Sequence, residues 1–218
     1  MFSEKNRLPI DSLLLSPDVS SRMHEIFPHS FAQFLDAFGF CSFFNRGFQL
    51  CDPDDMRSIS ALIFGTDKDF YHKDVHVYGY SAFGVLYCWS NKLNYIRIDL
   101  INCRIFCGYL VYKQEVKASL DHMASGLLPP RDSIEYFDYY NEPLLERCIE
   151  RYRMLNCGQC YGFFPALALV GGGESFMNKI ENIKKVEARE HFAILSQLAA
   201  FTLTGMSNEG YVNARNIG

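Results

Sequence analysis

Residues 75–112 read VHVYGYSAFGVLYCWSNKLNYIRIDLINCRIFCGYLVY, and this stretch decides the fold class. It is rich in the β-branched and aromatic residues that favour strands, and short polar connections divide it into segments. Such a sequence predicts a meander of antiparallel strands. The predicted strands cover residues 75–78, 83–90, 95–100 and 104–112.

The sequence before the meander predicts flanking helices. Residues 19–26 are expected to form one helix, and Pro28 separates it from a second helix that Ser30 caps and Gly39 ends. The apolar residues of the second helix recur at the spacing of one helical face. Two further elements are expected here, a strand pair over residues 40–50 and a helix over residues 52–64.

The sequence after the meander predicts a smaller α/β lobe. An amphipathic helix is expected over residues 141–155, with Pro143 in its first turn. A short strand over residues 162–170 and helical segments within residues 175–200 follow it. The tail after Thr202 is expected to fray.

Residues 125–132 have the glycine, proline and polar content of a linker or a turn, which indicates a boundary. We therefore expect an α+β protein, in which an antiparallel β meander with flanking helices is followed by a smaller α/β C-terminal lobe packed against it. The expected domains are residues 1–124 and residues 125–218.

Composition restricts the class of partner. The chain of 218 residues has a formal net charge of −4, whereas a nucleic-acid-binding protein needs a basic face to displace counterions. The charge is compatible with a basic partner. The 19 Phe and 13 Tyr residues stand out against a single Trp, and this excess fits both a β-rich core and an adhesive binding surface.

The sequence also indicates a compartment. No apolar run approaches the roughly 18–20 residues of a membrane span, and the first ten residues lack the apolar core of a signal peptide. We therefore expect a cytoplasmic protein without a membrane partner. The eight cysteines are then expected to be reduced thiols, most of them buried in the core.

Two cysteines offer an alternative hypothesis, a cytoplasmic enzyme with a redox or metal site. Cys157 and Cys160 have the spacing of a redox dithiol, but a predicted strand follows them in place of the helix that would activate a thiolate. Together with Cys103 and Cys107 they would supply four zinc ligands, although the second pair lies in a predicted strand. A loop after a helix is the favoured interpretation of residues 157–160.

The other motifs do not predict a catalytic centre. The three glycines at 171–173 have the position of a phosphate loop, but they lack its Lys and Ser/Thr and are followed by Glu174, so a strand-to-helix turn with Ser175 as the helix cap is favoured. His191 lacks the second histidine of a zinc-peptidase motif. The sequence predicts no catalytic, cofactor-binding or metal-binding residue and no cofactor.

Acidic side chains form two clusters in the sequence. A charge cluster is usually a solvated face, but it also suits contact with a basic partner. The residues predicted to contact such a partner are Asp52, Asp54, Asp55, Asp132, Glu135 and Asp138.

The C-terminal third resembles a known bacterial family. Residues 160–169, CYGFFPALAL, with the glycines that follow, look like a signature of the C-terminal domain of type VI secretion immunity proteins. Val170 departs from the signature because it lies between the leucine and the glycines. A second element of that family matches Val186, His191, Ile194, Leu195, Gln197 and Leu198.

The N-terminal part resembles the GAD-like domain that precedes this C-terminal domain in many members. The stretches that carry the resemblance are residues 27–31, 38–40, 47–53 and 81–89.

The resemblance implies an antitoxin rather than an enzyme. Such a protein binds a cognate effector toxin, commonly a nuclease, and covers its active site or its substrate groove. The partner would then be the toxin and not nucleic acid itself. A regulatory module with a small-molecule pocket in the GAD-like part is a further hypothesis, and the sequence leaves the oligomeric state open.

Overall fold

Eleven strands and seven α-helices make up the part of the chain that the computed structural model describes, which is residues 8–65, 67–112, 126–207 and 210–217. The strands are β1 (Ile10–Leu13), β2 (Phe40–Phe43), β3 (Phe48–Leu50), β4 (His76–Ser81), β5 (Val85–Ser90), β6 (Asn94–Asp99), β7 (Arg104–Cys107), β8 (Gln159–Phe163), β9 (Ile183–Glu187), β10 (Thr202–Ser207) and β11 (Gly210–Asn216). The helices are α1 (Pro17–Ile26), α2 (His29–Phe38), α3 (Arg57–Phe64), α4 (Gly108–Tyr112), α5 (Arg131–Ile134), α6 (Leu145–Tyr152) and α7 (Ala188–Leu195).

A nine-stranded sheet is the centre of the protein. Strands β1 to β7 lie side by side in chain order and each pair is antiparallel. Strand β10 then pairs in parallel with β7, and β11 forms the outer edge. The α+β class and the antiparallel meander predicted from the sequence are confirmed.

Both faces of the sheet are covered at its central strand, β5. Tyr87 and Trp89 of β5 belong to the core on the side of α1 and α2. Leu86 and Cys88 alternate with them and belong to the core on the side of α3 and α7. Because successive side chains of a strand point to opposite faces, a strand between two helical layers is apolar throughout. This explains the near-continuous apolar run at residues 83–89.

The smaller lobe packs on the turn between β4 and β5. Strands β8 and β9 form an antiparallel ribbon, and with α6 they enclose a third core that includes Phe83 of that turn. The backbone N–H of Tyr161 donates to the carbonyl of Ala82 at 2.8 Å, and Gln49 donates to the carbonyl of Gln159 at 2.8 Å. The packed C-terminal lobe is therefore confirmed.

The predicted strand over residues 104–112 is too long. Strand β7 ends at Cys107, and residues 108–112 form the short helix α4. Leu110 and Val111 still pack against the core, but from a helical turn. A run of apolar residues this short fits either conformation, so its composition did not reveal the change.

The two N-terminal helices are confirmed, with one correction at a helix end. Pro28 occupies the N-cap position of α2, and Ser30 lies inside the helix instead of capping it. Proline has no side-chain acceptor, so α2 begins without a side-chain cap hydrogen bond, and the fixed φ of Pro28 suits the position just before a helix. Gly39 ends this helix as expected, and Ser16 caps α1 by accepting a hydrogen bond from the N–H of Val19 at 3.4 Å.

The predicted helix over residues 141–155 is shorter in the structure. Residues 137 and 143 form an isolated β-bridge, and the N–H of Leu144 donates to the carbonyl of Tyr136 at 2.8 Å. Pro143 therefore belongs to a loop and not to the first turn, and α6 begins at Leu145. The left-handed backbone of Arg153, with φ +70°, ends the helix.

The segments after α6 also differ from the prediction. The strand predicted over residues 162–170 is β8, which begins at Gln159 and ends before Pro165, a residue without an N–H to continue a ladder. Much of the region predicted as helix over residues 175–200 is loop and strand β9, and only α7 is α-helical. Ile180 and Ile183 are buried from a turn and a strand, so their helix-like spacing was misleading.

The tail predicted to fray after Thr202 forms the hairpin of β10 and β11. Leu203 and Ile217 are buried in the main core, and Arg215 forms ion pairs with Asp67 at 2.6 Å and Asp69 at 2.7 Å. These contacts offset the loss of chain entropy. The predicted domain boundary at residues 124 and 125 lies outside the described residues.

Candidate functional site

The first predicted acidic cluster is bound within the protein. Asp52 begins a 3₁₀ turn by accepting the N–H of Asp54 at 2.9 Å, and both carboxylates contact Arg22 of α1. Asp54 also accepts a hydrogen bond from Arg57 at 2.9 Å, and this bond is the main reason that the pKa of Asp54 is lowered. These carboxylates therefore join α1 to the start of α3, while Asp55 is exposed.

The second cluster holds a loop in place. Glu135 accepts the N–H of Leu145 at 3.0 Å, at the start of α6. Asp138 is buried, whereas Asp132 is exposed. Two of the three predicted carboxylates are thus structural, and they shape the loop of residues 135–142.

Asp138 is the centre of that loop. One of its oxygens accepts the N–H groups of Tyr140 at 2.9 Å and Glu142 at 3.0 Å, and the other pairs with Arg147 at 2.6 Å. Burial of the carboxyl raises its pKa, but the hydrogen bonds from Arg147 and from the two backbone groups outweigh burial, so the pKa of Asp138 is lowered. The ionised carboxylate fixes the backbone on both sides of Tyr140.

Substitution of Asp138 tests this role. We expect Asp138→Asn to lower the free energy of unfolding by about 1–3 kcal/mol, because Arg147 loses its buried charged partner. Urea unfolding followed by circular dichroism measures the change. The control is Asp132→Asn, which removes an exposed carboxylate of the same region and should leave stability unchanged. Equal stability of both variants would contradict the assignment.

Four exposed aromatic residues lie on the loop of residues 135–142 and the loop of residues 171–179. They form what we call the aromatic patch, and they are Phe137, Tyr139, Tyr140 and Phe176, with 47–65% of each residue exposed. The Lys179 ammonium lies 5.8 Å from the ring centres of both Tyr140 and Phe176 and so links the two loops. The Tyr139 and Tyr140 rings meet edge to face at 5.5 Å.

The aromatic patch is held by the buried side chain of Asn178. Its amide donates to the carbonyl of Phe137 at 3.0 Å and to the carbonyl of Gly173 at 2.8 Å. The backbone of Asn178 accepts the N–H of Tyr139 at 2.8 Å. Three hydrogen bonds from one residue therefore hold the two loops together.

The glycines at 171–173 allow a close approach of the second loop to the main sheet. Gly172 has φ +68°, and a Cβ there would lie 2.7 Å from Oδ1 of Asn102. The N–H of Gly173 donates to that same oxygen at 2.9 Å. The predicted strand-to-helix turn is wrong, because the loop continues toward Phe176, and Ser175 accepts the N–H of Met177 at 3.2 Å instead of capping an α-helix.

His191 has a packing role that the sequence did not show. Its ring lies against Gly162, where a Cβ would be 2.7 Å from Nε2. Burial lowers the pKa of His191, so the imidazole is neutral near pH 7. Gly162 of the CYGFF segment and His191 of α7 therefore pack directly against each other.

The cysteines of the alternative hypothesis lie in different environments. Cys160 is buried in β8 and burial raises the pKa of its thiol, whereas Cys157 is exposed in the preceding loop. Cys103 and Cys107 point into the main core, and burial raises both of their pKa values. Burial of Cys160, Cys103 and Cys107 disfavours the thiolate that redox chemistry and zinc binding require. Within the described ranges, no group of three or more His, Cys, Asp or Glu side chains converges as a metal site would require.

Sequence reasoning missed the aromatic patch. The available signal was the run Phe137-Asp-Tyr-Tyr140, which places three rings in four residues at the end of a proline-containing loop. Nothing in this run distinguishes exposed rings from core rings, because the contacts of Asn178 that expose them come from a distant segment.

No helix among the described residues is long and apolar enough to cross a membrane.

Comparisons with known proteins assign both parts of the chain. Residues 2–102 match the family model of the GAD-like domain, and residues 128–199 match the family model described as T6SS immunity protein Tdi1, C-terminal. No curated protein matches the chain by sequence. The crystal structure of Atu4351 from Agrobacterium tumefaciens has the same fold, with a TM-score of 0.85 and 24% identity over 97% of this chain and 94% of that one.

Proposed function

Because the chain joins a GAD-like domain to the C-terminal domain of type VI secretion immunity proteins, we propose that it is an antitoxin that binds and neutralises a cognate effector. The match over residues 128–199 carries this proposal, since the matched family consists of immunity proteins. The protein would act in the cytoplasm of the producing cell and protect it from effectors that its own kind delivers.

The effector is a nuclease in this proposal, and inhibition is steric. A nuclease needs a basic groove to hold phosphates, and such a groove is complementary to a protein whose net charge is −4. Covering that groove excludes the substrate without any chemistry in the inhibitor. Stable recognition would bury roughly 1,600 Å² of total surface or more.

The aromatic patch is the surface that we assign to this contact. Tyrosine, with tryptophan and arginine, is enriched among the residues that dominate binding energy at protein interfaces. The two loops that carry the patch are also acidic, since residues 135–142 and 171–179 contain four carboxylates and one lysine. Arg147 neutralises part of this charge by pairing with Asp138 and Glu142, and the four carboxylates still outnumber Arg147 and Lys179.

The predicted contact residues divide accordingly. Asp132 is exposed beside the loop of the patch and remains a proposed contact. Glu135 and Asp138 support the patch from beneath, where they do not face a partner. Asp52 and Asp54 are engaged by arginines, so of the first cluster only the exposed Asp55 is free to contact a toxin.

Co-expression with the effector tests the proposed function. The toxic domain encoded next to this gene, expressed alone, should stop growth of a bacterial host and degrade its DNA, and co-expression of this protein should restore both. The purified pair should elute together on a sizing column, and the complex should weaken as salt rises because opposite charges steer it. Failure to rescue, together with separate elution, would refute the proposal.

A further inference from the structure

A recess outside the aromatic patch lies between α4 and the sheet formed by β6, β7, β10 and β11. Its volume is about 370 Å³, which lies within the usual range for small-molecule sites. The residues that line it include Tyr95, Arg97, Phe106, Tyr112, Met206 and Tyr211. Nothing in the proposed antitoxin function uses this recess.

Strand alternation places these side chains together. Ile96 and Ile98 of β6 are buried in the main core, so Arg97 between them points to the opposite face. Ile105 and Cys107 of β7 are buried in the same way, and Phe106 stands beside Arg97 on the recess side. The recess is thus built from ladder positions of the sheet together with residues of α4.

One half-buried arginine, Arg97, lines the recess, and a second, Arg104, contacts the lining residue Tyr211. The guanidinium of Arg97 stacks on Phe106, with Cζ 4.4 Å from the ring centre. Arg104 stacks on Tyr211 in the same way at 4.8 Å, and the two rings lie 5.4 Å apart. Stacking orients each guanidinium plane and leaves the N–H groups on its edge for other partners.

Neither arginine has a carboxylate partner within the described residues, although Asp99 lies opposite Arg104 in the ladder. Asp99 instead accepts hydrogen bonds from the backbone of Ile101 at 3.1 Å and Asn102 at 3.0 Å. Seven other described arginines hold carboxylates, namely Arg22, Arg46, Arg57, Arg131, Arg147, Arg151 and Arg215. Arg153 and Arg189 also have no carboxylate partner among the described residues, but neither of them lines the recess. Two stacked arginines with open donor edges beside a recess are suited to an anion.

We propose that the recess binds a small organic anion in which a phosphate is joined to a planar ring, as in a nucleoside monophosphate. The anionic group accepts hydrogen bonds from the edge of Arg97, and the ring packs against Tyr95, Tyr112 and Tyr211. Such a ligand contacts β6 and β7 on one side and β10 and β11 on the other. It therefore stabilises the junction between the meander and the C-terminal hairpin.

Binding of adenosine 5′-monophosphate to the full chain tests the proposal. Adenosine, which lacks the anionic group, and inorganic phosphate, which lacks the ring, are the control probes. We expect the nucleotide, but neither control, to raise the melting temperature by about 3 °C or more at tenfold excess over its Kd. Isothermal titration should show Kd at least tenfold weaker in Arg97→Gln. The matched variant Arg189→Gln, at an exposed position on α7, should bind like the wild type.

A second variant covers the case in which Arg97→Gln unfolds. Met206→Trp places a large side chain in the recess while its own position is mostly exposed, so it should abolish binding and keep the fold. The proposal is overturned if the nucleotide does not bind at millimolar concentration, or if it binds equally to wild type, Arg97→Gln and Met206→Trp. Equal shifts with adenosine would show that the site does not recognise the anionic group and would also overturn it.

Discussion

Replacement of Tyr140 by alanine is expected to weaken binding of the cognate effector by at least about 30-fold, or about 2 kcal/mol. Tyr140 is the most exposed ring of the aromatic patch, with 65% of the residue accessible, and its backbone is fixed by Asp138. A tyrosine held in this way contributes contact area without much loss of conformational entropy on binding. Biolayer interferometry with the purified toxic domain measures the change, mainly as faster dissociation.

The matched control is Tyr71→Ala. Tyr71 is a similarly exposed tyrosine, at 56%, but it lies before β4 and far along the sequence from the two loops of the patch. Both variants should melt like the wild type, since neither ring is buried. Wild-type affinity of Tyr140→Ala would contradict the assignment of the patch, even if the protein neutralises the toxin. Loss of affinity in Tyr71→Ala alone would place the contact elsewhere.

Replacement of Phe192 by alanine is expected to lower the free energy of unfolding by about 3–5 kcal/mol. Phe192 of α7 is fully buried in the core on that side of the main sheet, where it meets the ring of Tyr80 edge to face at 5.3 Å. The substitution leaves a cavity between the helix and the sheet. Because this core contains residues of both the meander and the C-terminal part, the melting temperature of the whole protein should fall by about 10 °C.

The control for Phe192→Ala is Ile194→Ala on the same helix. Ile194 is 56% exposed, so this variant should stay within about 0.5 kcal/mol of the wild type. Differential scanning calorimetry of both variants distinguishes the outcomes. If Phe192→Ala produced a second, separate transition while the main transition stayed in place, α7 would not be part of the cooperative core.

The sequence predicted those parts of the fold that local rules determine. The meander follows from short connections between apolar segments, and α2 follows from a one-sided apolar stripe that ends at Gly39. The C-terminal part was predicted less well. Ile180 and Ile183 have the spacing of a helical face, but residue 183 belongs to strand β9, which pairs with β8. The pairing of β10 with β7 joins residues about a hundred positions apart, which no local pattern encodes.

The candidate site shows the same division. Composition indicated that carboxylates and aromatic residues would matter, and both occur in the loop of residues 135–142. Their roles could not be read from the sequence, since Asp138 and Tyr140 are both polar residues of one loop. Charged side chains are expected outside and aromatic rings inside, but here Asp138 is buried and supports the backbone, while the ring of Tyr140 is exposed.

The parallel pairing of β10 with β7 has a consequence for synthesis of the protein. Strand β7 leaves the ribosome about 95 residues before β10, which at the usual rates of translation corresponds to roughly 5–20 s. During this interval the edge of β7 is an open template for other strands. A newly made molecule is therefore most prone to aggregation before β10 pairs with β7, and a chain interrupted at residue 200 should be recovered mainly as insoluble protein.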